Sequence, residues 1–166
     1  MTLQEAIALR KRDPETGLLV NHTYRFRADG NIDWLAEVDR KWLFVPDQYK
    51  DRVVKAQGKP IDECNLSLVN EKWLRVRQAG WNQLADLRGY RHLDYHSVTA
   101  NDGKATMICL IEWIGNYETN MEPFACAGAA SASTLSVDKG FRPYLETFAE
   151  NRAFARAVKR ALQINA

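Results

Sequence analysis

Four cations near the end of this 166-residue chain, Arg152, Arg156, Lys159 and Arg160, have the spacing that binding a polyanion requires. They recur at i, i+4, i+7 and i+8 in PYLETFAENRAFARAVKRALQI, residues 143–164. On an α-helix that spacing gathers them into a sector about 100° wide. The rest of the circumference is mostly apolar, with Phe148, Phe154, Ala155, Ala157, Val158, Ala161, Leu162 and Ile164. Four like charges on one face repel one another, so neither helix propensity nor packing asks for them. An anionic partner does. Residues 152–160 rise about 12 Å along a helix axis, the reach of roughly two backbone phosphates.

Other chemistries lack their residues. His92 and His96 stand four apart, but YRHLDYHSVTA has strand character, which separates them by roughly 13 Å along one face. They make no metal pair, and no HExxH pattern accompanies them. Asp94, Glu112 and Glu118 would be the acids of a divalent-metal nuclease, yet no lysine stands beside a paired acid on a strand to complete one. No GxxxxGK[ST], GxSxG or Gly-rich phosphate loop occurs. We therefore expect a protein that is not an enzyme and needs no metal or cofactor. Cys64, Cys109 and Cys126 are widely spaced and odd in number, which reads as reduced structural thiols.

The net charge of +2 is unevenly spread. From residue 139 onward six cations (Lys139, Arg142, Arg152, Arg156, Lys159, Arg160) oppose two acids, Glu146 and Glu150, for +4; the remainder, with 17 basic and 19 acidic residues, carries −2. A basic element on a near-neutral body suits a localised polyanion site. No run approaches the roughly 18 apolar residues of a membrane span, and MTLQEAIALRKR lacks a signal-peptide core, so we expect a cytoplasmic protein with no membrane partner.

The elements that must position the stripe follow in order. Residues 2–12 predict a short amphipathic helix ending in Arg10, Lys11 and Arg12, either a solvated helix end or an auxiliary phosphate contact. Residues 18–26 predict extended chain, and WLAEVDRKWLFV from Trp34, capped by Asp33, predicts a helix closed by Pro46. Residues 46–65, rich in charge, Pro and Gly, read as a mobile linker or lid. A further helix is expected from Ser67 or Asn70 to Gly89, with Trp73 and Trp81 as core residues rather than base-stacking platforms. Asp102-Gly103 between two β-rich runs is the strongest hairpin signal. A third strand, PFACAGAASA, has small residues that suggest close approach of a helix. The expected class is α+β: helix, three-stranded antiparallel meander and long basic helix at residues 66–166, behind an N-terminal α/β extension at residues 1–65, one compact domain overall.

The run LETFAENRAFARAVKRALQIN, preceded by IEWIGNYET and FACAGAASAS, resembles the phage single-strand annealing proteins of the Rad fifty-two-like superfamily. Their last core helix carries an A-E-x-R-A-x-x-R-A-[LV]-[KR] type of pattern, here Ala149, Glu150, Asn151, Arg152, Ala153, Phe154, Ala155, Arg156, Ala157, Val158 and Lys159. The resemblance covers roughly residues 66–165. It implies ATP-independent binding of single-stranded DNA and annealing of complementary strands in recombination and repair, by homo-oligomeric rings or helical filaments working with replication or recombination proteins. For a phage-encoded chain it places the protein at the host nucleoid. By position, Arg152, Arg156, Lys159 and Arg160 would line the groove, with Arg88, Arg91, Lys104 and Arg142 as candidates for a second strip. Three alternatives stay open: a binder that protects single strands without annealing them, an interaction protein whose stripe meets an acidic partner, and a stripe paired with acids of the chain's own N-terminal half.

Overall fold

The computed structural model describes residues 10–101 and 103–165. The helix expected at residues 2–12 falls almost wholly outside them. Its centre is an antiparallel sheet in the order β3-β4-β5, built from Tyr90–Asn101, Lys104–Trp113 and Phe124–Ser133. The strands form because KATMICLIEW alternates: Ala105, Met107, Cys109, Ile111 and Trp113 are buried, and the residues between them are not. Asn101 pairs with Lys104 at the hairpin and Trp113 pairs with Phe124 at the other end of the sheet. The α+β class and the helix–meander–helix order stand.

Two helices complete this unit. Gln78–Arg88 (labelled α2) packs against Leu145–Ala161 (α3), which lies across the inner faces of β4 and β5. α3 starts two residues later than its sequence pattern suggests, because Lys139–Tyr144 is a 3-10 helix containing Pro143. It stops where Gln163 turns left-handed (φ 53°) and Ile164 N–H donates back to Lys159 O at 3.1 Å.

α2 is shorter than expected. Side chains of Asn65 and Asn70 cap two separate 3-10 turns, Leu66–Leu68 and Glu71–Trp73, and local capping of this kind competes with a continuous helix. Arg75–Val76 (β2) then pairs with Leu43–Phe44 (β1) before α2 begins. At its other end α2 closes on Gly89 (φ 82°), and Arg12 donates to Asp86 O and Leu87 O, both at 3.1 Å, and to Gly17 O at 2.9 Å. Arg12 thus caps a helix instead of meeting phosphate, while Arg10 and Lys11 are exposed.

Two further expectations are corrected. The segment from Trp34 makes a capped turn, with Ala36 N–H on Asp33 Oδ1 at 3.3 Å, but only a 3-10 turn at Arg40–Trp42 follows. Glu37 is the reason: its buried carboxylate accepts from Arg25 N–H and meets His22 Nε2, both at 2.6 Å, tying it to the preceding chain. The expected linker at residues 46–65 contains a helix, Asp47–Gln57 (α1), and a 3-10 turn at Ile61–Glu63.

Tyr24, Ile32, Trp34 and Val53 from the N-terminal third join Trp81, Ile111, Trp113 and Val158 in one buried cluster. Each such side chain contributes about 1.5–3 kcal/mol on burial. Trp81 is core, and Trp73 stacks on Tyr49 at 6.3 Å.

All three cysteines are free. Cys109 and Cys126 occupy diagonal positions on the inner sheet face, and burial pushes the Cys109 thiol up to about 11 and raises that of Cys126. At pH 8 Cys109 is then about a hundredfold poorer in thiolate than an ordinary thiol. Native protein should react with a neutral thiol reagent far more slowly than urea-unfolded protein, in which all three titrate. Rapid labelling of the native Cys109 would contradict the placement.

Candidate nucleic-acid interface

The inner face of α3 is a ridge of alanines. Ala149, Ala153 and Ala157, four residues apart, are each 0 % exposed. Ala153 and Ala157 lie on Gly128 of β5, where an added Cβ would stand 2.2 Å from Ala153 O and 2.5 Å from Ala157 N. That contact brings the helix against the strand backbone, as the small-residue run suggested. Arg152, Arg156 and Arg160 each neighbour a ridge position, so they leave the helix about 100° round from it. They cross the free edge of β5.

There they form a ladder. Arg152 Nη1 donates to Ser131 O at 3.0 Å and Ser136 Oγ at 3.3 Å, and its Nη2 to Ser136 O at 3.2 Å. Arg156 Nη1 donates to Ala129 O at 2.5 Å, and Arg160 Nη1 to Ala127 O at 3.3 Å. Four residues of helix match two residues of strand at each rung. The carbonyls of residues 127, 129 and 131 point away from β4 because alternate residues of an antiparallel strand face its partner. The ladder therefore satisfies edge acceptors that the sheet leaves over.

These partners are neutral. Among the described residues none of the three guanidiniums forms an ion pair, so the possibility that the stripe pairs with acids of the N-terminal half is not realised for them. A carbonyl orients a guanidinium without cancelling its charge. Arg156 and Arg160 each commit one of five N–H donors to the strand, leaving the others for a ligand. An open cleft of about 950 Å³ beside them is lined by Ile108, Ala127, Ala129, Arg156, Lys159 and Arg160. It combines small or apolar strand residues with cations, and no acid lines it.

The candidates for a second strip do not form one site. Arg88 is 3 % exposed; its Nη1 donates to Ile114 O at 2.5 Å and its guanidinium lies 5.6 Å from the centroid of Phe124. Burial lowers its pKa to about 10. A basic residue in the last turn of a helix is normally solvated, but this one faces the sheet, and it is removed from the candidates. Arg91 is exposed and pairs with Glu112 at 3.6 Å, near the same end of the sheet. Lys104 and Arg142 are exposed at the hairpin end, roughly 30 Å along the strands from there. Those two extend the line of the stripe beyond Arg152; Arg88 and Arg91 do not.

His92 and His96 stand opposite Glu112 and Ile108 on the outer sheet face, and His96 Nε2 meets Asp94 Oδ2 at 3.3 Å. Glu118 accepts from Ile32 N–H at 2.9 Å, Asn116 Nδ2 at 3.0 Å and Trp34 Nε1 at 3.3 Å. Among the described residues no group of three His, Cys, Asp or Glu is placed to hold a metal, and no helix is long and apolar enough to cross a membrane.

The residues that sequence reasoning missed are the backbone acceptors of β5 and the Ser136 loop. Their only signal was the run of small residues in the strand. Compared with known proteins, the chain matches no family model, no curated protein and no solved structure.

Proposed function

We propose that the chain binds single-stranded DNA along the α3–β5 edge and, as a homo-oligomer, anneals complementary strands without nucleotide hydrolysis. The observation that carries this reading is the row of three guanidiniums held on neutral carbonyls beside an acid-free cleft. Such a row is already ordered, so a phosphate backbone meets preorganised donors and most of the side-chain entropy cost is met in folding. Phosphate contacts of this kind hold a strand in place without reading its sequence, leaving the bases to sample a second strand. One protomer offers few contacts, and successive protomers multiply them.

Resemblance to the single-strand annealing proteins points the same way, through the arginine pattern of α3 and the preceding meander. The test is the rate at which two complementary oligonucleotides pair, without ATP, across a salt series. The wild type should accelerate pairing, and its affinity for oligo(dT) should fall with salt with a log–log slope of about −0.7 for each phosphate neutralised. Tight binding with no acceleration would make the protein a protective binder. Absence of binding would move the stripe to an acidic protein partner.

A further inference from the structure

Side chains occupy three carbonyls on the free edge of β5 and one amide on the free edge of β3, with opposite chemistry. At the β5 edge three guanidiniums occupy carbonyl acceptors of Ala127, Ala129 and Ser131. At the β3 edge the outward amide of Tyr95 donates to Asp94 Oδ1 at 2.8 Å, a carboxylate on a donor. An open strand edge is a template for pairing with another chain, and charged side chains over it are one way proteins prevent that. Here the two caps complement each other. A β3 edge laid on a β5 edge would set amide donors against carbonyl acceptors and the Asp94 carboxylate near the arginine row.

We propose that the β5 edge is the docking surface for the β3 edge of a second copy of this chain, kept closed by Arg152, Arg156 and Arg160 and opened when an anionic strand takes those guanidiniums. The anionic trigger rests on the nucleic-acid reading above; the edge pairing does not. β5 has the form of a docking strand: FACAGAASAS contains no charge, no proline and no large side chain but Phe124, and Ala125, Ala129 and Ser131 are exposed. The occupant is β3 rather than a second β5, because β5 against β5 would bring two arginine ladders face to face. β3 is also long enough, at 12 residues against 10. Pairing of unlike edges is head-to-tail, so it closes into rings or runs on as a filament. Phosphate first meets the N–H groups that the edge leaves over, and a strand that gathers the guanidiniums then draws the bonded N–H groups off the carbonyls as well. Binding of the strand and addition of the next copy therefore reinforce each other, as linked equilibria must.

The experiment is analytical ultracentrifugation of the full chain with Arg152, Arg156 and Arg160 all changed to Gln, without nucleic acid. The variant loses the cap, so it should assemble at concentrations where the wild type sediments as one chain. The wild type should assemble when oligo(dT) is added. Ser97→Pro supplies the control, since residue 97 is exposed, shares the outward orientation of Tyr95, and proline is tolerated on edge strands. Added to the triple variant, it should abolish assembly while circular dichroism stays native; in the otherwise wild-type chain it should leave oligo(dT) binding intact but stop growth beyond occupancy of single copies. A native-like triple variant that stays monomeric overturns the proposal, as does a wild type equally assembled without oligo(dT), or assembly indifferent to Ser97→Pro. If oligo(dT) does not bind but the triple variant assembles through β3, the edge pairing holds and the nucleic-acid reading falls.

Discussion

Changing Arg152 and Arg156 together to glutamate lowers affinity for oligo(dT) by on the order of a hundredfold and removes strand annealing. Each guanidinium–phosphate contact is a charge-assisted hydrogen bond, and losing two removes about 3 kcal/mol, with every 1.4 kcal/mol worth tenfold. The salt slope should also flatten by about 1.4, since two phosphates are no longer neutralised. The measurement is fluorescence anisotropy of labelled oligo(dT) at several salt concentrations, with annealing rates alongside. Arg88→Met is the control: the residue is buried under Phe124, so it should leave affinity and slope unchanged within about twofold. A double variant with wild-type affinity would sink the groove. So would an Arg88 effect as large as that of the pair.

Replacing Gly128 with valine should cost the protein most or all of its stability. Even a Cβ at that position meets Ala153 O at 2.2 Å and Ala157 N at 2.5 Å, and both are helix backbone that cannot rotate aside. Relief requires α3 to lift from β5 along its length. Alanine should already cost about 3 kcal/mol and valine more, against a typical total of 5–15 kcal/mol. Urea unfolding followed by circular dichroism would read this as a large drop in midpoint for alanine and loss of the cooperative transition for valine. An unchanged midpoint would mean that the close helix–strand contact is absent.

What was legible in the sequence was whatever depends on neighbours along the chain. The period of α3 placed its cations together and its alanines inward, and alternation in KATMICLIEW with the Asp102-Gly103 signal placed the hairpin strands. What the arginines rest on was not legible, because it depends on how β5 and α3 align across the groove. Residues 47–57 read as linker because their helix buries only Val53 and most of its other residues are charged or polar. The stretch after Trp34 has a genuine one-face apolar pattern, but an inward-turned Glu37 outweighs it. Arg88 followed the rule for helix ends until the sheet covered it.

The ladder also behaves as a vernier. Four helical residues advance about 6.0 Å, while two strand residues advance about 6.8 Å, and the helix turns a further 40° or so at each step. Centred on Arg156, the outer rungs are out of step by less than 1 Å, which a flexible side chain absorbs. A fourth rung would be displaced by about twice as much and rotated off the edge. The positions where it would stand are Phe148 and Ile164, both turned to the core. The number of strand acceptors one α3 can serve is thus limited by two incommensurate repeats as well as by the turn that ends the helix before Ile164. Lengthening α3 would not lengthen the contact, and a longer polymer can be followed only by repeating the whole protomer.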